Sequence, residues 1–300
     1  GKMEINREAS VAAVQSVADA MNIDLMAAAE GIIKIVNESM FGALRLVSVE
    51  QGYDPRDFAL VGFGGAGPLH ANALGILTDA WPVIIPPGPG VLCAYGDATT
   101  QVQDEAARTY LTMASDLSDT KLASDLSELQ TRASEALLKD NIPTSDHEIT
   151  YQADLRYAGQ AFQITIDFTE DELHKKGVAL LTDQFDAEHE QLFTFKLDDG
   201  HEVLMIRAVA KAKAKSIAER KIGQTGMSLE ECKIIESRFY YEGDWYDANI
   251  YDRNKLNIGL EVSGPAIVGE MDSTTVILPG FVATVDAIGN LLINPVKRGK

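Results

Sequence analysis

Apolar residues recur every three or four positions in several parts of the chain and alternate with polar ones in others. Val11, Val14, Ala18 and Met21 predict a helix over residues 6–21 with one buried stripe. Asp24 is placed to cap a second, longer helix, with a predicted buried face of Ala28, Ile32, Val36, Met40, Ala43 and Val47 that ends before Gly52. Residues 57–61 read as a short strand covered on both faces. A short helix follows over about 69–77, and then the strand Val83-Ile84-Ile85, stopped by Pro86-Pro87-Gly88-Pro89-Gly90. This part of the chain is α/β in character.

A seam is expected between Asp97 and Asp116. Beyond it Leu122, Leu126, Leu129, Ala133 and Leu137 form a helical stripe, closed by Asn141 and Pro143. Residues 151–168 alternate as a hairpin would, turning at Ala158-Gly159-Gln160. Thr169-x-x-Glu172 reads as a capping box for one helix carrying Leu173, Leu180, Leu181, Phe185 and Phe193. Residues 202–215 read as a strand, and residues 238–295 as short strands punctuated by glycine, in the manner of a sandwich or barrel. The expected organisation is an α/β domain over residues 1–105 and an α+β, β-rich domain over residues 106–300.

Composition narrows the function. The chain has 300 residues, 46% of them hydrophobic, enough for two domains with cores. With 45 acidic against 26 basic side chains its formal net charge is -19, which disfavours nucleic acid phosphates and anionic membranes as partners. Two distant cysteines, Cys93 and Cys232, make neither a disulfide framework nor a zinc motif, and no apolar run reaches membrane-spanning length, so a cytoplasmic protein is expected.

The densest chemical signal is Gly62-Phe63-Gly64-Gly65-Ala66-Gly67, which fits G-x-G-x-x-G. A dinucleotide fingerprint would place an acid at the end of the next strand to hold the ribose. Here that strand runs into prolines, and Asp79 precedes it, so the dinucleotide reading fails. No Gly-Lys-Ser/Thr follows, which excludes a Walker A loop. A sharp strand-to-helix turn would need only one or two glycines. Four glycines followed by Pro68 instead predict a row of backbone N–H groups at a helix N-terminus, suited to a phosphate or the sugar edge of a nucleotide. Gly64, Gly65, Ala66, Gly67 and Pro68 are therefore the candidate nucleotide-binding residues. His70, in the same first turn, is either an acid–base group or a packing and capping residue. His189 reads as a helix-face residue. The five histidines show no metal-ligand spacing, so no metal site is expected from this segment.

Longer strings carry a resemblance. Residues 36–40 (VNESM), 45–58 (RLVSVEQGYDPRDF) and 60–71 (LVGFGGAGPLHA) are similar to the hydantoinase A / 5-oxoprolinase family, which also includes subunits of acetone and acetophenone carboxylases. The likeness continues through residues 86–96 (PPGPGVLCAYG), 155–162 (LRYAGQAF), 185–190 (FDAEHE), 264–280 (GPAIVGEMDSTTVILPG) and 289–292 (GNLL).

The resemblance implies the C-terminal part of an actin-like or sugar-kinase-type ATPase lobe, with residues 57–75 as its adenosine-side element, followed by the β-rich domain. An Asp-x-Gly-Gly-Thr phosphate loop is absent from the 300 residues, so the resemblance covers only the C-terminal portion of such a protein. It implies ATP with Mg2+ in the full-length protein, a cyclic amide or imide as substrate, an N-terminal half and a hydantoinase B-type partner subunit. A ketone-carboxylase subunit and a non-catalytic docking module are the alternatives. Arg156-Tyr157-Ala158-Gly159-Gln160 and Asp272-Ser273-Thr274-Thr275 share the likeness, though turns and strand hydroxyls account for them physically. Pro86–Gly90 is expected to form a rigid wall near the glycine loop.

Overall fold

A computed structural model describes residues 6–214 and 226–296. In chain order the helices and strands begin α1 (Arg7–Met21), α2 (Leu25–Val47), β1 (Leu60–Val61), α3 (Gly67–Thr78), β2 (Val83–Ile85) and α4 (Leu92–Thr99). There follow β3 (Gln103–Met113), α5 (Asp119–Lys139), β4 (His147–Tyr157), β5 (Ile164–Phe168), α6 (Glu170–Lys176), α7 (Ala179–Phe193) and β6 (His201–Ala212). The last seven are β7 (Lys233–Tyr241), β8 (Asp244–Asp252), β9 (Glu261–Ser263), β10 (Ala266–Gly269), β11 (Thr274–Ile277), β12 (Phe281–Val285) and β13 (Leu291–Pro295).

The chain forms two compact units, Gly1–Ala98 with Ala218–Lys300, and Thr99–Ile217. The first passage between them falls inside the expected seam. The expected single domain over 106–300 is divided, however, because the late strands join the first unit. The cause is strand pairing: β13 lies antiparallel to β2, with Leu291 opposite Ile85 and Ile293 opposite Val83. A two-residue β1 and a three-residue β2 cannot make a stable sheet alone. β13, β12 and β9 extend them to five strands in the order β1-β2-β13-β12-β9. A second sheet of this unit runs β11-β10-β8-β7, and Val83, Ile85, Val262, Val268, Ile277, Leu291 and Ile293 share one core.

The other unit is a four-stranded antiparallel sheet, β3-β6-β4-β5, covered on one face by α5 and α7. Leu122, Leu126, Leu129, Ala133 and Leu137 are all buried, as their spacing predicts. The hairpin turns through Gly159 at φ +80°, and the Thr169–Glu172 capping box is present. The single helix expected after that box is two, since Gly177 at φ +62° ends α6 before α7 begins. Lys215, at the end of the predicted strand over 202–215, lies outside the described residues.

Two expectations in the first unit also change. Asp24 caps α2 by accepting from Met26 N and Ala27 N at 2.9 and 3.0 Å. Of the expected stripe on α2, only Ala28 is buried, while Ile32, Val36 and Val47 are exposed. In α1 Ala18 alone is buried, and Val11 and Met21 are exposed. The predicted strand over 57–61 shrinks to Leu60–Val61, because Asp54 accepts from Arg56 N and starts a short 3-10 turn over Pro55–Asp57.

Candidate functional site

β1 and β2 are parallel, with Gly62 N donating to Ile84 O at 2.9 Å, and the chain turns from β1 through residues 62–66 into α3. Gly62 has no room for a side chain: a Cβ there would lie 2.6 Å from Ala71 Cβ and 2.7 Å from Ile85 Cδ1. Gly64 adopts φ +86°, a conformation glycine enters freely, and its N–H donates to Pro89 O at 2.7 Å. That bond sets the Pro86–Gly90 segment directly against the glycine loop. Ala66, the N-cap of α3, offers no side-chain cap, and Pro68 has no N–H to satisfy. Among the described residues nothing accepts from the N–H groups of Gly65, Ala66 or Gly67. These three successive amides stand at the positive end of a twelve-residue helix.

His70 stands in the first turn of α3 and is half-buried. Its Nδ1–H donates to Asn37 Oδ1 at 2.8 Å, tying α3 to α2. Burial holds its pKa below the ordinary value of 6.5, so the neutral ring is favoured. With the Nδ1 proton committed to Asn37, Nε2 is left as an acceptor. The sequence showed no partner for His70; Asn37, thirty-three residues earlier, became one only through the packing of α2 on α3. Beside the loop, Met40, Leu44, Val61, Phe63, Ala71 and Leu74 line an apolar cleft of about 320 Å³ that also reaches Gly62 and Gly67.

The third wall of the loop was not legible as such. The turn Glu270–Ser273, between β10 and β11, is closed by Glu270 N donating to Ser273 O at 3.0 Å. Ser273 Oγ reaches Gly65 O at 3.1 Å and Gly64 O at 3.4 Å, and Glu270 Oε2 accepts from Gly88 N at 3.3 Å. Burial pushes the Glu270 carboxyl above its ordinary pKa, with Asp272 adding to the rise and Arg253 and the Gly88 N–H opposing it. Arg253 is itself buried, donating to Ile85 O at 3.0 Å and Gly289 O at 2.6 Å; burial lowers its pKa to about 10. Among the described residues, the buried atoms Glu270 Oε1, Asp272 Oδ2 and Arg253 Nη1 have no hydrogen-bond partner.

Candidates in the other unit serve its interior. His189 lies on α7, as expected of a helix-face residue, and that face is fully buried. It donates from Nδ1 to Phe195 O at 2.8 Å and accepts at Nε2 from Gln160 at 3.0 Å, in a cage with Tyr157, Phe162, Phe185 and Phe193. Arg156 pairs with Glu202 at 2.6 Å, and Tyr157 donates to Asp186 at 2.7 Å. Among the described residues no group of three or more His, Cys, Asp and Glu side chains could hold a metal ion, and no helix is long and apolar enough to cross a membrane.

A strand, a glycine turn and an uncapped helix on a mixed sheet, joined to β-rich elements, define an α/β protein with a β-rich part. The chain belongs to the hydantoinase/oxoprolinase family: the model described as Hydantoinase/oxoprolinase matches residues 1–106, and the one described as Hydantoinase/oxoprolinase C-terminal domain matches residues 113–292. It is 31% identical to an uncharacterized protein of Methanocaldococcus jannaschii, over 98% of this chain and 42% of that one. It is 27% identical to caprolactamase subunit alpha of Pseudomonas jessenii, over 98% of this chain and 43% of the relative. The crystal structure of the ATP-dependent caprolactamase from that organism matches with TM-score 0.88, covering 98% of this chain and 44% of the solved one at 26% identity. The acetone carboxylase beta subunit of Xanthobacter autotrophicus is 28% identical over 95% of this chain and 42% of its own length. The chain thus spans less than half the length of these relatives.

Proposed function

We propose that this chain forms the nucleotide-facing part of an ATP-dependent enzyme that opens a cyclic amide or imide. It works with an N-terminal half of the same protein and a hydantoinase B-type partner subunit, in the cytoplasm. The observation that carries this reading is the run of free amides at Gly65, Ala66 and Gly67 on an uncapped helix, flanked by an apolar cleft. Such amides hold phosphate or sugar oxygens without a net charge of their own, and the cleft walls suit the faces of a purine.

ATP, when bound, supplies the phosphoryl group that turns an unreactive amide carbonyl into one that water can attack. This chain's residues bind and orient. Gly64 and Pro89 fix the loop, Gly65 to Gly67 donate, and His70 ties α3 to α2 through Asn37. The expected Mg2+ finds no ligand set among the described residues and would be held by the nucleotide and the N-terminal half. The exposed apolar residues of α2, among them Ile33, Ile35 and Val47, support an adjoining half, since a clustered apolar surface is a usual mark of an interface.

A lactam-type substrate is favoured because the likeness to the caprolactamase structure, at TM-score 0.88, is closer than that to the acetone carboxylase structure, at 0.67 and 24% identity. Ketone carboxylation is the second reading and rests on the sequence likeness to the acetone carboxylase beta subunit. Titration of the chain with a non-hydrolysable ATP analogue is expected to give saturable amide shifts at Gly64–His70. Absence of such shifts at millimolar analogue overturns the nucleotide reading and leaves a docking module. ATP hydrolysis by the chain joined to its N-terminal half and partner subunit should then rise with a lactam or hydantoin. A rise only with ketone and bicarbonate overturns the amide reading.

A further inference from the structure

The Glu270–Ser273 turn touches both glycine-rich loops, although nothing in local sequence connects residues 64, 88 and 273. Ser273 is 6% exposed, and its hydroxyl is shared between the carbonyls of Gly65 and Gly64. In a trans peptide the carbonyl and the following N–H point in opposite directions. Holding the Gly64 and Gly65 carbonyls toward Ser273 therefore turns the N–H groups of Gly65 and Ala66 to the opposite side. These are two of the three amides that have no acceptor among the described residues. Asp272 limits movement from the same turn. Its backbone oxygen lies 3.7 Å from where a Cβ on Gly65 would stand, and a Cβ on Gly90 would meet that oxygen at 2.6 Å and Asp272 Oδ2 at 2.8 Å. Glu270 completes the arrangement by accepting from Gly88 N, next to the Pro89 whose carbonyl holds Gly64 N.

We propose that Ser273 is a positioning residue for the glycine loop: its hydroxyl fixes the 64–65 and 65–66 peptides so that their N–H groups face a bound phosphate or ribose oxygen. Ser273 touches no ligand itself; it acts through the two carbonyls. The ligand part of this inference rests on the nucleotide reading above, while the loop geometry stands without it.

The test compares Ser273→Ala, Ser273→Thr and the exposed neighbour Thr274→Val, each in the whole chain, by two measurements. The first is amide hydrogen exchange without nucleotide. Losing one hydrogen bond is expected to speed exchange of the protected Gly64 N–H about fivefold in Ser273→Ala, with the amides of β10 and α5 unchanged. The second is affinity for the ATP analogue, expected to fall by about the same factor. Ser273→Thr keeps a hydroxyl donor and should restore both, and Thr274→Val should move neither.

Exchange and affinity both within twofold of the parent in Ser273→Ala overturn the proposal. So does acceleration spread equally through β10 and β11, which would make Ser273 a residue of the fold rather than of the loop. If the parent chain binds no analogue, the nucleotide reading fails, and the exchange measurement still decides whether Ser273 holds the loop.

Discussion

Two helices of nearly equal length carry similar apolar stripes and meet opposite fates. In α5, Leu122, Leu126, Leu129, Ala133 and Leu137 are sealed against β3, β4 and β6, with Leu129 at 0% exposure. In α2, Ile35 is 67% and Val47 70% exposed, and the buried positions are Ala28 and Asn37. The stripe on α2 is as regular as that on α5, but Ile32, Val36 and Val47 on it stay exposed among the described residues. Polar contacts help to hold it instead. Asn37 meets His70, and Glu30 accepts a hydrogen bond from Glu242 N. Periodicity therefore reports that a face wants covering, and says nothing about which molecule or segment supplies the cover.

The contrast can be broken most forcefully at its buried end. Leu129→Ala should lower the stability of its unit by about 2–5 kcal/mol, since it leaves a cavity under the sheet. Denaturant unfolding followed on that unit's amides would show it, and a loss below half a kilocalorie would mean that α5 is not sealed as described.

An intermediate effect is expected where a polar pair does the holding. Asn37→Ala strips His70 of its acceptor and should cost about 1–3 kcal/mol. The same pair carries a pH signature. The pKa of His70 is lowered in the folded chain by burial, so the unfolded chain takes up the proton first as pH falls. Its contribution to stability is full above the ordinary value of 6.5 and is lost as pH drops from there toward the lowered value. His70→Gln should flatten that slope in pH-dependent melting; an unchanged slope would remove His70 from the account.

The smallest effect belongs to the open stripe. Val47→Ala should change the stability of this chain by no more than about 0.5 kcal/mol, the usual range for surface positions. If the proposed N-terminal half covers this face, the same change should weaken its binding to this chain when the two are supplied as separate polypeptides, measured by calorimetry or co-elution. A large loss in the isolated chain would show that α2 is covered from within after all.

Much of the molecule was legible from local signals. The Asp24 cap, the Thr169–Glu172 box, the α5 stripe and the Val83–Ile85 strand all arise from interactions within a few residues, or from one periodic face. The glycine turn was legible for the same reason, since four glycines permit a sharp turn and Pro68 fixes φ at the helix start whatever surrounds them. What failed shares one cause. The burial of His189 was not legible because a helix does not announce the aromatic side chains that Tyr157, Phe162 and Phe195 bring to it. The 106–300 domain looked continuous because strand partners separated by two hundred residues leave no local trace. Ser273 looked like one hydroxyl in a turn for the same reason.

The sequence by itself determined α1, α2, α3 and α5, the Asp24 and Thr169 caps, the glycine turn and the family likeness, because short-range sterics, hydrogen bonding and periodic burial act along the chain. Only the tertiary structure decided that β13 completes the sheet of β1 and β2, that Asn37 answers His70, and that Ser273 answers the glycine carbonyls. Those contacts depend on groups brought together through space, and hydrogen bonds of about 3 Å leave little latitude in which residues can make them.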